Sequence, residues 1–144
     1  MTDLDEAVGH WDEGPFAYGA MEATELVILP DGTGWGLWAN VAGGQELTEF
    51  GWRRLGPGRL GITSTLTASG TWDSSRPDQV ICDEPPRPAD EHLEFGYRLT
   101  TEVPPLGDGP VLSLTLDAPF MFAERFALVR RDVSAADRPT VVTA

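Results

Sequence analysis

Apolar and polar residues alternate along much of this chain, and residues that favour turns separate the alternating stretches. The pattern is clearest between Thr24 and Leu66, where turns are expected at Asp31-Gly32, Gly43-Gly44 and Gly56-Pro57-Gly58. Alternation with a period of two is typical of β-strands that bury one face. We therefore interpret this region as four antiparallel strands joined by three tight turns.

Each turn also predicts how its two strands pair, and the pairing decides which side chains share a face. A two-residue turn at Asp31-Gly32 places Ile28 opposite Trp35, and the same reasoning applies to the next two turns. In this register one face is apolar across all four strands, while Trp38 lies on the polar face. The predicted rows are Ile28–Trp35–Trp52–Ile62, Leu26–Leu37–Phe50–Ser64 and Thr24–Ala39–Thr48–Leu66.

Four more strands complete an all-β chain. The first begins near Gly9 and places Trp11 opposite Ile28. It either turns Glu13 inward or forms a bulge that brings Phe16 and Tyr18 inward. Three strands follow residue 91, with apolar positions at Leu93, Phe95, Tyr97, Leu99, Leu112, Leu114, Leu116, Phe126 and Leu128.

A long sheet with one apolar face can bury that face by closing on itself, which also removes both edges. The predicted fold is therefore a single eight-stranded antiparallel up-and-down β-barrel, lipocalin-like in shape, over residues 1–131. Residues 132–144 are polar and predict a flexible tail. The proline-rich stretch 70–91 lacks alternation and predicts a long loop.

Charge and cysteine content limit the possible partners. The net charge is −13, which disfavours nucleic acid and anionic membranes because like charges repel. We find no signal peptide and no membrane-spanning apolar run, and the single Cys82 suits a reducing compartment, so a cytoplasmic protein is expected. No cofactor motif is present. His10 and His92 lie on different strands without a third ligand, so no metal site is predicted.

The motif Gly9-x-Trp11, with a basic residue at the end of the eighth strand, resembles the calycin superfamily of lipocalins and fatty-acid-binding proteins. In that superfamily the Trp closes one end of the barrel and an Arg packs over it. The resemblance points first to Arg130 and second to Arg131. The lipocalin Thr-Asp-Tyr motif is absent, because residues 100–104 read Thr-Thr-Glu-Val-Pro. The chain is most similar to a small bacterial lipocalin-like domain, which implies a ligand barrel without fixing the ligand.

The inward residues are smaller and more polar at the end opposite Trp11, so we expect a pocket mouth there, with residues 70–91 as a lid. The predicted function is binding of a small, mostly apolar molecule inside the barrel. The alternative is that side chains fill the interior. The predicted ligand-binding residues are Thr24, Leu26, Leu37, Ala39, Thr48, Phe50, Ser64, Phe95, Tyr97, Leu116 and Phe126.

Two other functions remain open at this point. An inward Glu13 would have a raised pKa and could exchange protons with Tyr97, as in a cyclase or isomerase of an apolar biosynthetic intermediate. The acidic surface and an exposed Trp38 would instead suit an acidic protein-binding module.

Overall fold

The computed structural model describes residues 6–17, 20–105 and 109–143, and most of its regular structure is β-sheet. Two short 3-10 helices lie at Gly14–Phe16 and Ala135–Asp137. No helix in these ranges has the length and apolar character needed to cross a membrane. The strands are β1 (Gly9–Asp12), β2 (Glu22–Ile28), β3 (Thr33–Asn40), β4 (Gly44–Gly56), β5 (Arg59–Thr71), β6 (Gln79–Cys82), β7 (Arg87–Pro88), β8 (His92–Glu102), β9 (Val111–Phe120), β10 (Ala123–Arg130) and β11 (Thr140–Thr143).

Eight of these strands close into an antiparallel barrel. Around the wall the order is β1, β2, β3, β4, β5, β8, β9 and β10, and β10 pairs with β1 to complete the ring. The first half of β5 provides the closing contact with β8, from Arg59 opposite Gly96 to Thr63 opposite His92. The predicted all-β, eight-stranded up-and-down barrel is confirmed.

The pairing of β2 with β3 differs by one residue from the predicted register. The backbone N–H of Leu29 donates to the carbonyl of Thr33 at 2.9 Å, which makes the connection a three-residue loop. Ile28 consequently lies opposite Gly34 instead of Trp35. A slip of one residue exchanges the two faces of a strand, because side chains alternate.

This slip turns the small residues of β3 toward the interior. Gly34 and Gly36 now share a face with the buried side chains of Leu26 and Ile28. The sequence placed the large apolar residues of β3 on this face, and that prediction is wrong. The β3 residues assigned to the wrong face are Trp35, Leu37, Trp38 and Ala39.

The next two pairings give a mixed result. The predicted register between β3 and β4 is also wrong, because three residues instead of two form the connection. Between β4 and β5 a bulge lies at Glu49 and Phe50, so Thr48 lies opposite Thr67 instead of Leu66. The pairs that form as predicted are Trp52–Ile62 and Phe50–Ser64.

Side chains fill the barrel interior, which is the second of the two alternatives that the sequence left open. The ring of Phe120 packs edge-on against Phe50, with centroids 5.6 Å apart, and against Phe95 at 6.1 Å. Two cavities of about 300 and 340 Å³ lie on the outer surface of the wall. Other fully buried residues are Trp11, Leu26, Ile28, Ile62, Leu114 and Phe126.

A second layer covers part of the outer wall, and it changes two expectations. Residues 70–91 contain β6 and β7, which pair with the second half of β5. Residues 140–143 form β11, which pairs in parallel with β6. In the observed register the large apolar residues of β3 face outward, and this second layer covers them. Residues 70–91 were expected to form a lid and residues 132–144 a flexible tail. Both segments instead contain strands that pack on this wall.

Candidate functional site

One end of the barrel is closed by Trp11, which is fully buried. Its indole N–H donates to the carbonyl of Ala7 at 2.9 Å. The guanidinium of Arg131 lies 5.5 Å from the ring centroid and donates to the Val8 carbonyl at 2.8 Å. Trp11 is paired with Leu26 across β2, which corrects the predicted partner. We call this the plugged end.

Arg131 takes the position for which Arg130 was the first candidate. The β1–β10 pairing contains a bulge between His10 and Trp11, and this bulge places Arg130 opposite His10 on the outer face. There Arg130 forms an ion pair with Asp137 at 3.2 Å. The Trp–Arg contact implied by the resemblance is thus present, with the second-choice arginine.

The opposite end is covered by the two-residue turn between β9 and β10, and we call it the hairpin end. Met121 and Phe122 have φ angles of 51° and 71°, the left-handed region that bulky residues rarely occupy. Two-residue turns with this geometry usually contain Asn and Gly. Thr24 donates its hydroxyl to the Met121 carbonyl at 2.7 Å, which anchors the turn to β2.

Two aromatic residues, Trp38 of β3 and Phe122 of the turn, complete the hairpin end. The ring of Phe122 is 71% exposed and lies 5.9 Å from Trp38, centroid to centroid. The Trp38 indole N–H is buried and has no hydrogen-bond partner among the described residues. An isolated buried donor is costly unless a water or ligand accepts its hydrogen bond. Because Trp38 faces this end, the exposed Trp38 expected of a protein-binding module is not observed.

The structure separates the two residues proposed for proton transfer. Glu13 lies past the end of β1, at the hairpin end, where its carboxylate accepts the Thr24 N–H at 3.0 Å. Tyr97 lies at the plugged end, where its hydroxyl donates to Glu6 at 2.5 Å. Burial raises the pKa of Glu13. Burial and the Glu6 carboxylate raise the pKa of Tyr97 to about 12. These two residues do not form a catalytic pair.

The bulge proposed as the alternative for this segment corresponds to the 3-10 helix at Gly14–Phe16. Phe16 packs under the guanidinium of Arg125, which lies 5.3 Å from its ring centroid. Tyr18, the other residue of that alternative, lies outside the described residues.

Most of the predicted ligand-binding residues do face the barrel interior. Leu37 and Ala39 are the corrections, because the slip of β3 places both on the outer wall. The sequence also missed Gly36, Trp38, Phe120 and Met121, all at the hairpin end. The pattern Gly34-x-Gly36 could have indicated an inward face with room for large neighbours. The predicted residues that face inward are Thr24, Leu26, Thr48, Phe50, Ser64, Phe95, Tyr97, Leu116 and Phe126.

A separate cavity of about 300 Å³, which we call the wall cavity, lies on the outer face of β1, β2 and β3. Residues 132–139, which we call the strap, run across it. Its apolar floor is formed by Val27, Trp35 and Leu37, and Val133 of the strap packs over them. Its polar rim contains His10, Glu25, Asp78, Arg130 and Asp137.

Comparison of the chain with protein-family models, with curated proteins and with solved structures found no significant match. The closed eight-stranded barrel is consistent with a calycin-like fold. It is also a framework compatible with small-molecule binding.

Proposed function

We propose that the protein is a calycin-like barrel that binds a small, mostly apolar molecule in its interior, admitted at the hairpin end. The asymmetry of the two ends carries this proposal. At the plugged end a hydrogen bond and a guanidinium hold Trp11 in place. At the hairpin end the interior is covered by the side chains of a strained turn.

The strain of this turn favours its displacement. A non-glycine residue in the left-handed region costs roughly 1–2 kcal/mol, and both Met121 and Phe122 occupy it. Phe120 precedes them, and its ring occupies the space beside Phe50 and Phe95. A ligand that enters here replaces the contacts of Phe120 and Met121, while the turn relaxes. The closed form is then the unliganded state of the barrel.

The groups around this space suggest the chemistry of the ligand. The rings of Phe50 and Phe95 would contact an apolar body. Thr48 and Ser64 are buried nearby and offer hydroxyl groups, and the indole N–H of Trp38 offers a donor that none of the described residues accepts. We therefore propose an apolar molecule that carries at least one hydrogen-bond acceptor.

The proposal can be tested with an apolar fluorescent probe and two matched substitutions. Thr48→Trp places a large ring inside the barrel, whereas Thr65→Trp places the same ring on an exposed position of the next strand. We expect the wild type and Thr65→Trp to bind the probe with a Kd on the order of micromolar, and Thr48→Trp to lose binding. Circular dichroism confirms that each variant is folded. Equal binding by both variants, or no binding by the wild type, would contradict interior binding.

A further inference from the structure

The wall cavity is separate from the proposed interior site, because the strands β1, β2 and β3 lie between them. Its floor includes Trp35, which is 3% exposed, and Val27, which is 4% exposed. The strap crosses the cavity and continues into β11, whose pairing with β6 holds its far end. A cavity of about 300 Å³ lies at the lower end of the size range of small-molecule sites.

The rim of the wall cavity has an excess of negative charge. Glu25, Asp78 and Asp137 contribute three carboxylates, against one guanidinium from Arg130 on the rim and a second from Arg138 over the floor. Arg130 is already paired with Asp137 at 3.2 Å. Hydrogen bonds from the Ser134 N–H and the Arg130 guanidinium lower the pKa of Asp137, which keeps it ionised. The net charge of −13 adds an attractive field for any cation that approaches.

The floor already holds a cation from the protein itself. The guanidinium of Arg138, on the strap, lies 5.5 Å from the centroid of the Trp35 ring. Cations are attracted to the face of an indole at this distance. The Nε2 of His10 donates a hydrogen bond to the Glu25 carboxylate at 2.7 Å, which holds that carboxylate in place. An organic cation that displaces the Arg138 guanidinium would therefore meet the indole face of Trp35 and the carboxylates of Glu25 and Asp78.

We propose that the wall cavity binds a small organic cation, an ammonium or guanidinium group on a short apolar body. The apolar body would lie on Val27, Trp35 and Leu37, and the cationic group would face Glu25 and Asp78. A carboxylate or phosphate ligand would meet the same acidic rim and be repelled. This site is independent of interior binding, and either one can exist without the other.

Three probes of one shape test this assignment: benzylammonium, benzyl alcohol and benzoate, each titrated into ¹⁵N-labelled full-length protein at neutral pH. We expect benzylammonium to shift the amide signals of Val27 and Leu37 and the indole signal of Trp35. Benzyl alcohol should bind more weakly and benzoate should leave these signals unchanged. Interior binding would instead shift Gly36 and Thr48, so the two sites give different results.

Substitutions that remove one negative charge each supply the controls. Glu25→Gln and Asp78→Asn should each weaken benzylammonium binding by about two- to fivefold, the usual effect of a partly exposed charge pair. Glu94→Gln removes the same charge from a distant part of the wall, where Glu94 pairs with Arg59 and His92, and should leave the affinity unchanged. The assignment is overturned if the three probes bind equally, if benzylammonium leaves the Trp35 signal unchanged, or if Glu94→Gln weakens binding as much as Glu25→Gln.

Discussion

Substitution of Gly36 by Ala tests both the register of β3 and the packing of the hairpin end. A methyl group at this position would lie 2.7 Å from Cε2 of Phe120 and closer still to the sulfur of Met121. Phe120 cannot yield easily, since Phe50 and Phe95 hold its ring on two sides. Insertion of a methyl group into a packed core of this kind costs about 1–3 kcal/mol. We expect Gly36→Ala to lose that amount of unfolding free energy in urea denaturation.

The same substitution at Gly56 is the matched control. Gly56 also lies in a strand, but a methyl group there would meet no atom within 4 Å. Gly56→Ala should therefore change the unfolding free energy by about 0.5 kcal/mol or less. In Gly36→Ala the turn should also be pushed outward, so an apolar probe should associate faster than with the wild type. If Gly36→Ala is as stable as Gly56→Ala, Gly36 does not face the packed interior and the description of the hairpin end is wrong.

Three other consequences can be measured. Trp11→Ala should lower the free energy of unfolding by about 3–5 kcal/mol, because Trp11 is fully buried. Trp72→Ala should lower it by about 1 kcal/mol, because Trp72 is 39% exposed. Equal losses in urea denaturation would contradict the description of the plugged end. The raised pKa of Tyr97 means that the folded state holds this proton more tightly, so its stabilisation is complete below the ordinary pKa of 10.0 and is lost as the pH rises through about 12. Tyr97→Phe should reduce the loss of unfolding free energy over that pH range, and an unchanged profile would count against the effect. Burial raises the pKa of the Cys82 thiol, so a thiol reagent should modify it slowly in the full chain. Removal of residues 132–144 should make this modification faster. Equal rates would show that β11 does not protect β6.

The architecture could be predicted because it depends on information that is local in the sequence. Alternation with a period of two marks each strand, and glycine-containing turns mark the connections. Trp52 and Ile62 pair as predicted although the turn itself differs, because Gly56 pairs with Arg59 and a bulge between Arg54 and Gly56 compensates for the shorter connection. The position of Trp11 at a closed end was implied by the resemblance to the calycin superfamily.

The registers around β3 could not be predicted, because the turn signal fixes a position but not a length. Asp31-Gly32 can form a two-residue turn, or it can end a three-residue loop with Gly32 at positive φ, which is the form observed at 90°. A difference of one residue exchanges Trp35 for Trp38 inside the barrel. The second layer was missed for a related reason. β11 and β6 pair at long range, and the apolar surface that they cover exists only in the correct register.

The candidate site was predictable in part. Phe95, Leu116 and Phe126 face inward as their alternation indicated. The pairings of β10 with β9 and with β1 contain bulges, and the second of these places Arg130 on the outer face. Leu37 and Ala39 were predicted to face inward only because the predicted register of β3 was wrong. The turn residues Met121 and Phe122 carry no turn signal, since their side chains oppose the conformation that they adopt. Tertiary contacts of Phe120 and Met121 inside the barrel decide that turn.

Intermolecular NOEs from an apolar aryl probe test interior binding most directly. At saturating probe we expect NOEs to the methyl groups of Thr24, Thr48 and Leu26, together with shifted signals for Met121 and Phe122 as the turn opens. The outer-wall methyl groups of Val27 and Leu37 should show no NOE to this neutral probe. NOEs confined to the outer wall, or unchanged signals for Thr48 and Met121 at saturation, would contradict a ligand site inside the barrel.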